Sequence, residues 1–206
     1  MTKTWALPAR LLAVAAIVAG QGLCLGFGPP RLAAHDVDHD ALWPEQVRLM
    51  CSMVPPAVSP AAALVVDMAT GTPVYVRNAD VPLAPASTTK IMTALMALEW
   101  GHLDDQVTIA PSDLSVDSVL GLRPGEVWTL EDLLYALMLA SDNASAVVIA
   151  RHVAGSEEVF VEQMNARAVA WGLTATHFEN PHGYDDPNHY STARDLAALA
   201  RLAMDN

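Results

Sequence analysis

Lysine is almost absent from this chain: among 206 residues, only Lys3 and Lys90 carry an ammonium group. Basic residues as a whole are scarce, 11 Lys and Arg against 23 Asp and Glu, giving a formal charge of -12. Every acidic residue follows Ala34, so the body of the chain is more acidic than the total suggests. A surface of that sign repels phosphate backbones and argues against nucleic acid as a partner. Cysteine is nearly missing too. Cys24 and Cys51 are too few for a disulfide framework and lack the spacing of a zinc site. Aromatic residues amount to only 6% while alanine is abundant, a composition suited to a helix-rich globular protein. No internal repeat and no low-complexity tract is present.

One long apolar run does exist. Lys3 and Arg10 precede an almost unbroken apolar stretch from Leu11 to Phe27, and Arg31-Leu32-Ala33-Ala34 then offers small residues for cleavage. Residues 1–34 read as a secretory signal, with an uncleaved membrane anchor as the alternative, and the remainder as exported. Residues 35–60, rich in charge and proline, read as a linker with a short helix over 41–51. His35 and His39 among Asp36, Asp38 and Asp40 could be imagined as metal ligands, but no wider ligand set accompanies them. No metal or organic cofactor is implied.

Residues 61–206 read as one domain. Ala61 to Asp67 has the pattern of a buried strand, Ala69-Thr70-Gly71-Thr72 of a turn, and Val74 to Asn78 of the returning strand. A strongly apolar helix is expected from Thr88 to Trp100, with Gly101 as its left-handed terminator. Residues 102–128 give only turn signals. Thr129-Leu130-Glu131-Asp132 resembles a capping box opening another apolar helix, which breaks at Ser141-Asp142-Asn143 and resumes until Gly155. Ser156 caps a further amphipathic helix ended by Gly172, and Thr192 to Asp195 opens the last one.

The chemistry concentrates at Pro85-Ala86-Ser87-Thr88-Thr89-Lys90. Residues three apart share a helix face, so the Lys90 ammonium can reach the Ser87 hydroxyl. Serine is a weak nucleophile until a base takes its proton, and lysine can be that base only where burial lowers its pKa. The apolar run after Lys90 supplies such surroundings. The plainer reading makes Ser87 an N-cap and Lys90 a solvated first-turn residue. Ser141 and Asn143 alternate across the helix break, so both can face one cleft, although Ser, Asp and Asn are also ordinary turn residues. His182 either lines that cleft or fixes its own loop.

Together these segments resemble the serine D-alanyl-D-alanine carboxypeptidases, the low-molecular-mass penicillin-binding proteins. The likeness rests on Pro85 to Leu95, on Asp67-Met68-Ala69-Thr70-Gly71 and on Leu139 to Ala146. It extends to His177 to Gly183 and to His189-Tyr190-Ser191-Thr192-Ala193-Arg194-Asp195. The resemblance implies an α/β (α+β) β-lactamase/transpeptidase-like fold, a helical cluster packed on an antiparallel sheet. It implies that Ser87 attacks the carbonyl between two terminal D-alanines of a peptidoglycan stem peptide, with Lys90 as base. Ser141 would relay a proton to the leaving amine, and Asn143 would hydrogen-bond the substrate backbone. β-Lactams would acylate Ser87.

The family's third motif, K-T-G, has no counterpart, since no lysine follows Lys90. A sequence truncated before the C-terminal strands is expected, and with it poor folding and negligible activity of these residues alone. A class A β-lactamase would need a glutamate on a loop, and Glu162-Gln163-Met164-Asn165 lies in an amphipathic helix instead. A peptidoglycan DD-endopeptidase uses the same machinery. A non-catalytic cell-wall-binding relic sits poorly with intact Ser87, Lys90, Ser141 and Asn143.

Overall fold

The computed structural model describes residues 58–205 together with the strand Ile17–Ala19. The expected signal segment (apart from that strand), most of the linker, the helix over 41–51 and the His35/His39 pair lie outside the described residues. Residues 1–19 and 61–206 belong to one compact unit; residues 20–60 form a second, in whose described part, 58–60, no regular element occurs.

The sheet is antiparallel, in the order β1 (Ile17–Ala19), β2 (Ala62–Val66), β3 (Pro73–Arg77). Apolar residues at alternate positions let β2 bury Ala62, Leu64 and Val66 on one face. The hairpin turn is closed by Asp67, whose carboxylate accepts from the backbone N–H and hydroxyl of Thr70. These bonds hold its pKa below the usual carboxylate range. The buried face of β2 packs with Ala79, Ala193 and Ala197, placing the last helix, α5 (Ala193–Met204), against the sheet.

The helical cluster is built around α1 (Lys90–Trp100). This helix is apolar nearly all round, the pattern of a core helix rather than a surface one. Ala94 and Ala97 join Leu130, Leu133, Leu137, Val148 and Ile149 in one core, which draws together α1, α2 (Leu130–Leu139) and α3 (Asn143–Ala154). Met92, Leu95 and Met96 face a second core with Phe160 and Met164 of α4 (Glu157–Ala170), Phe178, and Leu196 and Leu199 of α5. Lys90 stands at the N-terminal tip of this doubly buried helix.

The caps form as expected at Thr129, Ser156 and Thr192, each accepting from the backbone N–H three residues on. Two local expectations need correction. The Asp132 carboxylate accepts from the Thr129 hydroxyl instead of reaching back to its backbone N–H, so the reciprocal half of a capping box is missing. Gly101 is extended, with φ -101°, and not left-handed. A Cβ there would stand 2.4 Å from Leu130 Cδ2 and 3.0 Å from the Ala97 carbonyl oxygen, so a larger residue would have to push the Leu130 side chain aside. The stretch 102–128, which gave only turn signals, contains a second two-stranded antiparallel sheet, β4 (Gln106–Thr108) with β5 (Val127–Thr129).

Candidate active site

Ser87 lies in a 3₁₀ turn, Ala86–Thr89, that leads directly into α1. The side chain of neither Ser87 nor Thr89 caps the helix. The Ser87 hydroxyl is instead met by Lys90 Nζ at 3.1 Å. Ser87 is exposed while Lys90 is only 2% exposed, so the hydroxyl faces solvent with the amine beneath it. The reading of Ser87 as a cap over a solvated lysine is thereby excluded.

Lys90 Nζ donates two further hydrogen bonds, to Asn143 Oδ1 at 2.7 Å and to the carbonyl of His182 at 2.8 Å. Three neutral oxygens thus take the three protons of an ammonium group. Burial pushes the Lys90 pKa down from 10.5 to about 8, against the opposing pull of the Asp142 and Asp117 charges. About a tenth of the amine is then neutral near pH 7. A neutral amine has two N–H donors and one lone pair. With Asn143 Oδ1 and the His182 carbonyl holding the two protons, the lone pair faces Ser87, and the hydroxyl becomes the donor.

Asn143 begins α3, and its Nδ2 donates to Asp117 Oδ1 at 3.0 Å. Ser141 is half-buried, with φ 55°, and is not among the partners of Lys90 Nζ. Between them, Asp142 is fully buried. Its Oδ1 accepts from the Ser118 hydroxyl and the Leu120 N–H, and its Oδ2 from the Ser145 hydroxyl and N–H. Burial is the largest single influence and would raise its pKa, but the hydrogen bonds led by Ser145 outweigh it and the pKa falls. Asp142 therefore stays charged near Lys90 without touching it.

The loop from Pro181 to Ser191 clamps the nucleophile turn. Thr93 Oγ1 donates to the Pro181 carbonyl at 2.6 Å, and Thr89 Oγ1 pairs with His189 Nε2 at 2.9 Å. Glu179 N–H donates to His189 Nδ1, which fixes the neutral tautomer with its proton on Nε2. Gly183, at φ +95°, comes so close that a Cβ would stand 2.0 Å from the Ala86 carbonyl oxygen. Ala86 itself has φ 49°. A non-glycine residue in that region costs about 1–2 kcal/mol, so strain sits on both sides of the cleft, before Ser87 and at Ser141. The His182 ring fixes its own loop: Nδ1 accepts from the Tyr184 N–H at 3.2 Å, and the ring lies edge-on to Tyr184. Burial and the Lys90 charge hold its pKa at about 4. Its carbonyl, not its ring, meets the lysine.

Sequence reasoning brought forward Ser87, Lys90 and Asn143, which the structure gathers at one point, and Ser141, which stands apart from that hydrogen-bond network. It missed Asp117, Ser118, Gly183 and the Thr89–His189 latch. Only Gly183 carried a local signal, a glycine in a loop next to the singled-out histidine. Among the described residues, no group of three or more His, Cys, Asp or Glu side chains is placed to hold a metal ion.

An exposed serine over a desolvated lysine, at the tip of the central helix of an α/β cluster, defines the β-lactamase-like class of penicillin-binding folds. Comparison with known proteins narrows the class. Residues 50–206 match the S11 peptidase family, described as D-alanyl-D-alanine carboxypeptidase, and the chain belongs to that family. It is similar to the D-alanyl-D-alanine carboxypeptidase DacF of Bacillus subtilis, 39% identical over 146 residues, covering 68% of this chain and 38% of that protein. Among solved structures it resembles penicillin-binding protein 5 of Haemophilus influenzae, with a TM-score of 0.70 and 33% identity over 75% of this chain and 47% of the other. A D-alanyl-D-alanine carboxypeptidase of Mycobacterium tuberculosis gives 0.71 and 36%, covering 75% of this chain and 60% of the other. The chain thus spans less than two thirds of the length of each of these relatives.

Proposed function

We propose that this protein is a penicillin-binding serine carboxypeptidase that removes the terminal D-alanine from peptidoglycan stem peptides. The observation that carries the reading is the contact between Lys90 Nζ and Ser87 Oγ, with the other two bonds of the amine held by Asn143 and the His182 carbonyl. Neutral Lys90 takes the Ser87 proton as Oγ attacks the carbonyl of the penultimate D-alanine. The tetrahedral intermediate collapses by breaking the C–N bond, and Ser141 relays a proton to the departing D-alanine amine. Water then hydrolyses the ester on Ser87 and restores the hydroxyl. Asn143 keeps one Nδ2 proton beyond its bond to Asp117, and this proton is available to a substrate carbonyl. β-Lactams, which mimic the terminal dipeptide, acylate the same oxygen.

The acyl donor is a cell-wall peptide, so we place the protein in the bacterial envelope, exported by the apolar segment of residues 11–27. Cleavage or membrane insertion of that segment would each take β1 out of the sheet and leave β2 at its edge. N-terminal sequencing of the mature protein distinguishes the two.

The test is labelling of the intact protein with a fluorescent penicillin, followed by mass spectrometry of the adduct. The adduct is expected on Ser87, and Lys90→Arg is expected to abolish it, because arginine does not deprotonate in this range. An adduct on another side chain, or normal labelling of Lys90→Arg, would sink the assignment. Release of free D-alanine from a pentapeptide, compared with cleavage of a cross-linked dimer, separates carboxypeptidase from endopeptidase action.

A further inference from the structure

We propose that Asp117 is a positioning residue for the Ser87–Lys90 pair, acting through the side-chain amide of Asn143. The inference rests on the reading of Lys90 as base and deepens it. Asp117 lies in the loop between the Pro111–Ser115 turn and β5, a stretch with no sequence signal for the site. Its Oδ1 accepts from Asn143 Nδ2 at 3.0 Å, and its main-chain carbonyl accepts from the Ala144 N–H at 3.3 Å. The loop is thereby tied to the first turn of α3 at two points.

The consequence follows from donor and acceptor bookkeeping. An amide side chain can present either its oxygen or its nitrogen to a neighbour. While Lys90 is an ammonium, only the oxygen fits, because the ammonium has donors alone. Once Lys90 is neutral, that restriction disappears. A reversed Asn143 could donate an N–H to the amine lone pair and occupy the orbital that must receive the Ser87 proton. Asp117 prevents this, since a carboxylate is acceptor-only and holds Nδ2 on its own side. Asn143 Oδ1 then keeps one lysine proton, the His182 carbonyl keeps the other, and the lone pair stays with Ser87.

Asp117 also carries charge. The charged or titratable groups around Lys90 are Asp142 before α3, Asp117 in the loop, and the rings of His182 and His189 from the clamp. Both rings are neutral near pH 7, with pKa values pushed down to about 4 chiefly by burial. Asp142 and Asp117 both favour the ammonium form of Lys90. Asp117 is the exposed one of the two, so its charge can be removed without disturbing a buried network.

Two variants separate the two effects. Asp117→Asn removes the charge but leaves an oxygen that can still hold Asn143 Nδ2, whereas Asp117→Ala removes both. Selective ¹³C labelling of lysine gives a Lys90 resonance, assigned by its disappearance in Lys90→Arg. In the intact protein, both variants are expected to lower the Lys90 titration midpoint by roughly half a pH unit. The acid limb of penicillin acylation should move down with it. Asp117→Ala should also lower the high-pH acylation plateau about tenfold, and Asp117→Asn should recover most of that loss. An unmoved midpoint in both variants, or an Asp117→Ala plateau equal to that of the unmodified protein, would overturn the inference. So would an Asp117→Asn plateau as low as that of Asp117→Ala. If the unmodified protein is not acylated at Ser87, the proposed function fails, while the lysine titration still decides whether Asp117 acts on Lys90.

Discussion

Lys90 and Arg151 serve opposite ends of α3, and the two cations are held in opposite ways. Arg151, in the last turn, meets a carboxylate directly: Nε and Nη2 reach Asp113 Oδ1 and Oδ2 at 2.6 and 2.9 Å, and Nη2 also reaches the Thr108 carbonyl. The Asp113 hydrogen bond, opposed in part by burial, raises the Arg151 pKa further and makes the charge permanent. At the other end, Asn143 gives Lys90 a neutral oxygen. The nearest carboxylates, Asp142 and Asp117, are occupied by other donors. Direct pairing with a carboxylate locks a charge in place. Ligation by neutral oxygens in a dry site leaves it able to leave. The first end staples the loop carrying Asp113 to α3, and the second leaves a proton free to move.

The sharpest way to break this contrast is to exchange the roles. Replacing Lys90 by Arg or Met should lower penicillin acylation by at least about a thousandfold, measured as the labelling rate. Lys90→Met should nevertheless change the urea-unfolding free energy by no more than about 1 kcal/mol, or raise it, because a desolvated cation disappears from the core. Asp113→Ala should do the reverse. It strands Arg151 and leaves the Ala110 N–H, which bonds Asp113 Oδ2, without its acceptor. A loss of about 3 kcal/mol in urea unfolding is expected, reduced from the fully buried case because Arg151 is partly exposed. Acylation by the folded protein should stay within about threefold. A large catalytic defect in Asp113→Ala would show that the two ends of α3 are not independent.

A third prediction uses pH. His182 and His189 are only 4% and 2% exposed, and burial depresses both pKa values from 6.5 to about 4. The unfolded chain binds these protons first as pH falls, so folded stability is complete above about pH 6.5 and is lost progressively down to about pH 4. From pH 7 to pH 5 the loss should be on the order of 2 kcal/mol per ring in urea unfolding. Both rings lie in the loop that clamps Ser87 and Lys90, so acid should release the catalytic end while the Arg151–Asp113 staple still holds. Hydrogen exchange at the two ends of α3, compared at pH 7 and 5, reads that order directly. The smallest effect is expected from Ser156→Ala, which removes the cap of α4 beside the staple. It should cost about 1 kcal/mol in thermal unfolding and leave the labelling rate unchanged.

Much of the fold was legible because its signals are local. A continuous apolar run, a Gly-containing turn and a return run marked the hairpin, Thr129, Ser156 and Thr192 marked helix starts, and Gly155 and Gly172 marked helix ends with positive φ. The errors came where a neighbour distant in sequence overrode local preference. Gly101 looks like a left-handed terminator and is a contact surface for Leu130 instead. The pairing of β4 with β5 joins segments about twenty residues apart, and neither segment has a strong pattern of its own. Asp142 was visible only as a turn residue, yet it is the buried hub of four hydrogen bonds.

The pairing of Ser87 with Lys90 was written in the chain, because three positions on a helix fix which side chains can meet. Sequence alone also placed Asn143 beside a helix break, where an amide can be presented. What folding alone decided is the state of the amine. Its partners come from 53 and 92 residues away, Asp117 from 26 residues before Asn143, and Gly183 from a loop pressed onto Ala86. A pKa depends on the water excluded and the dipoles gathered around a group, and both are set by segments whose meeting no local pattern records.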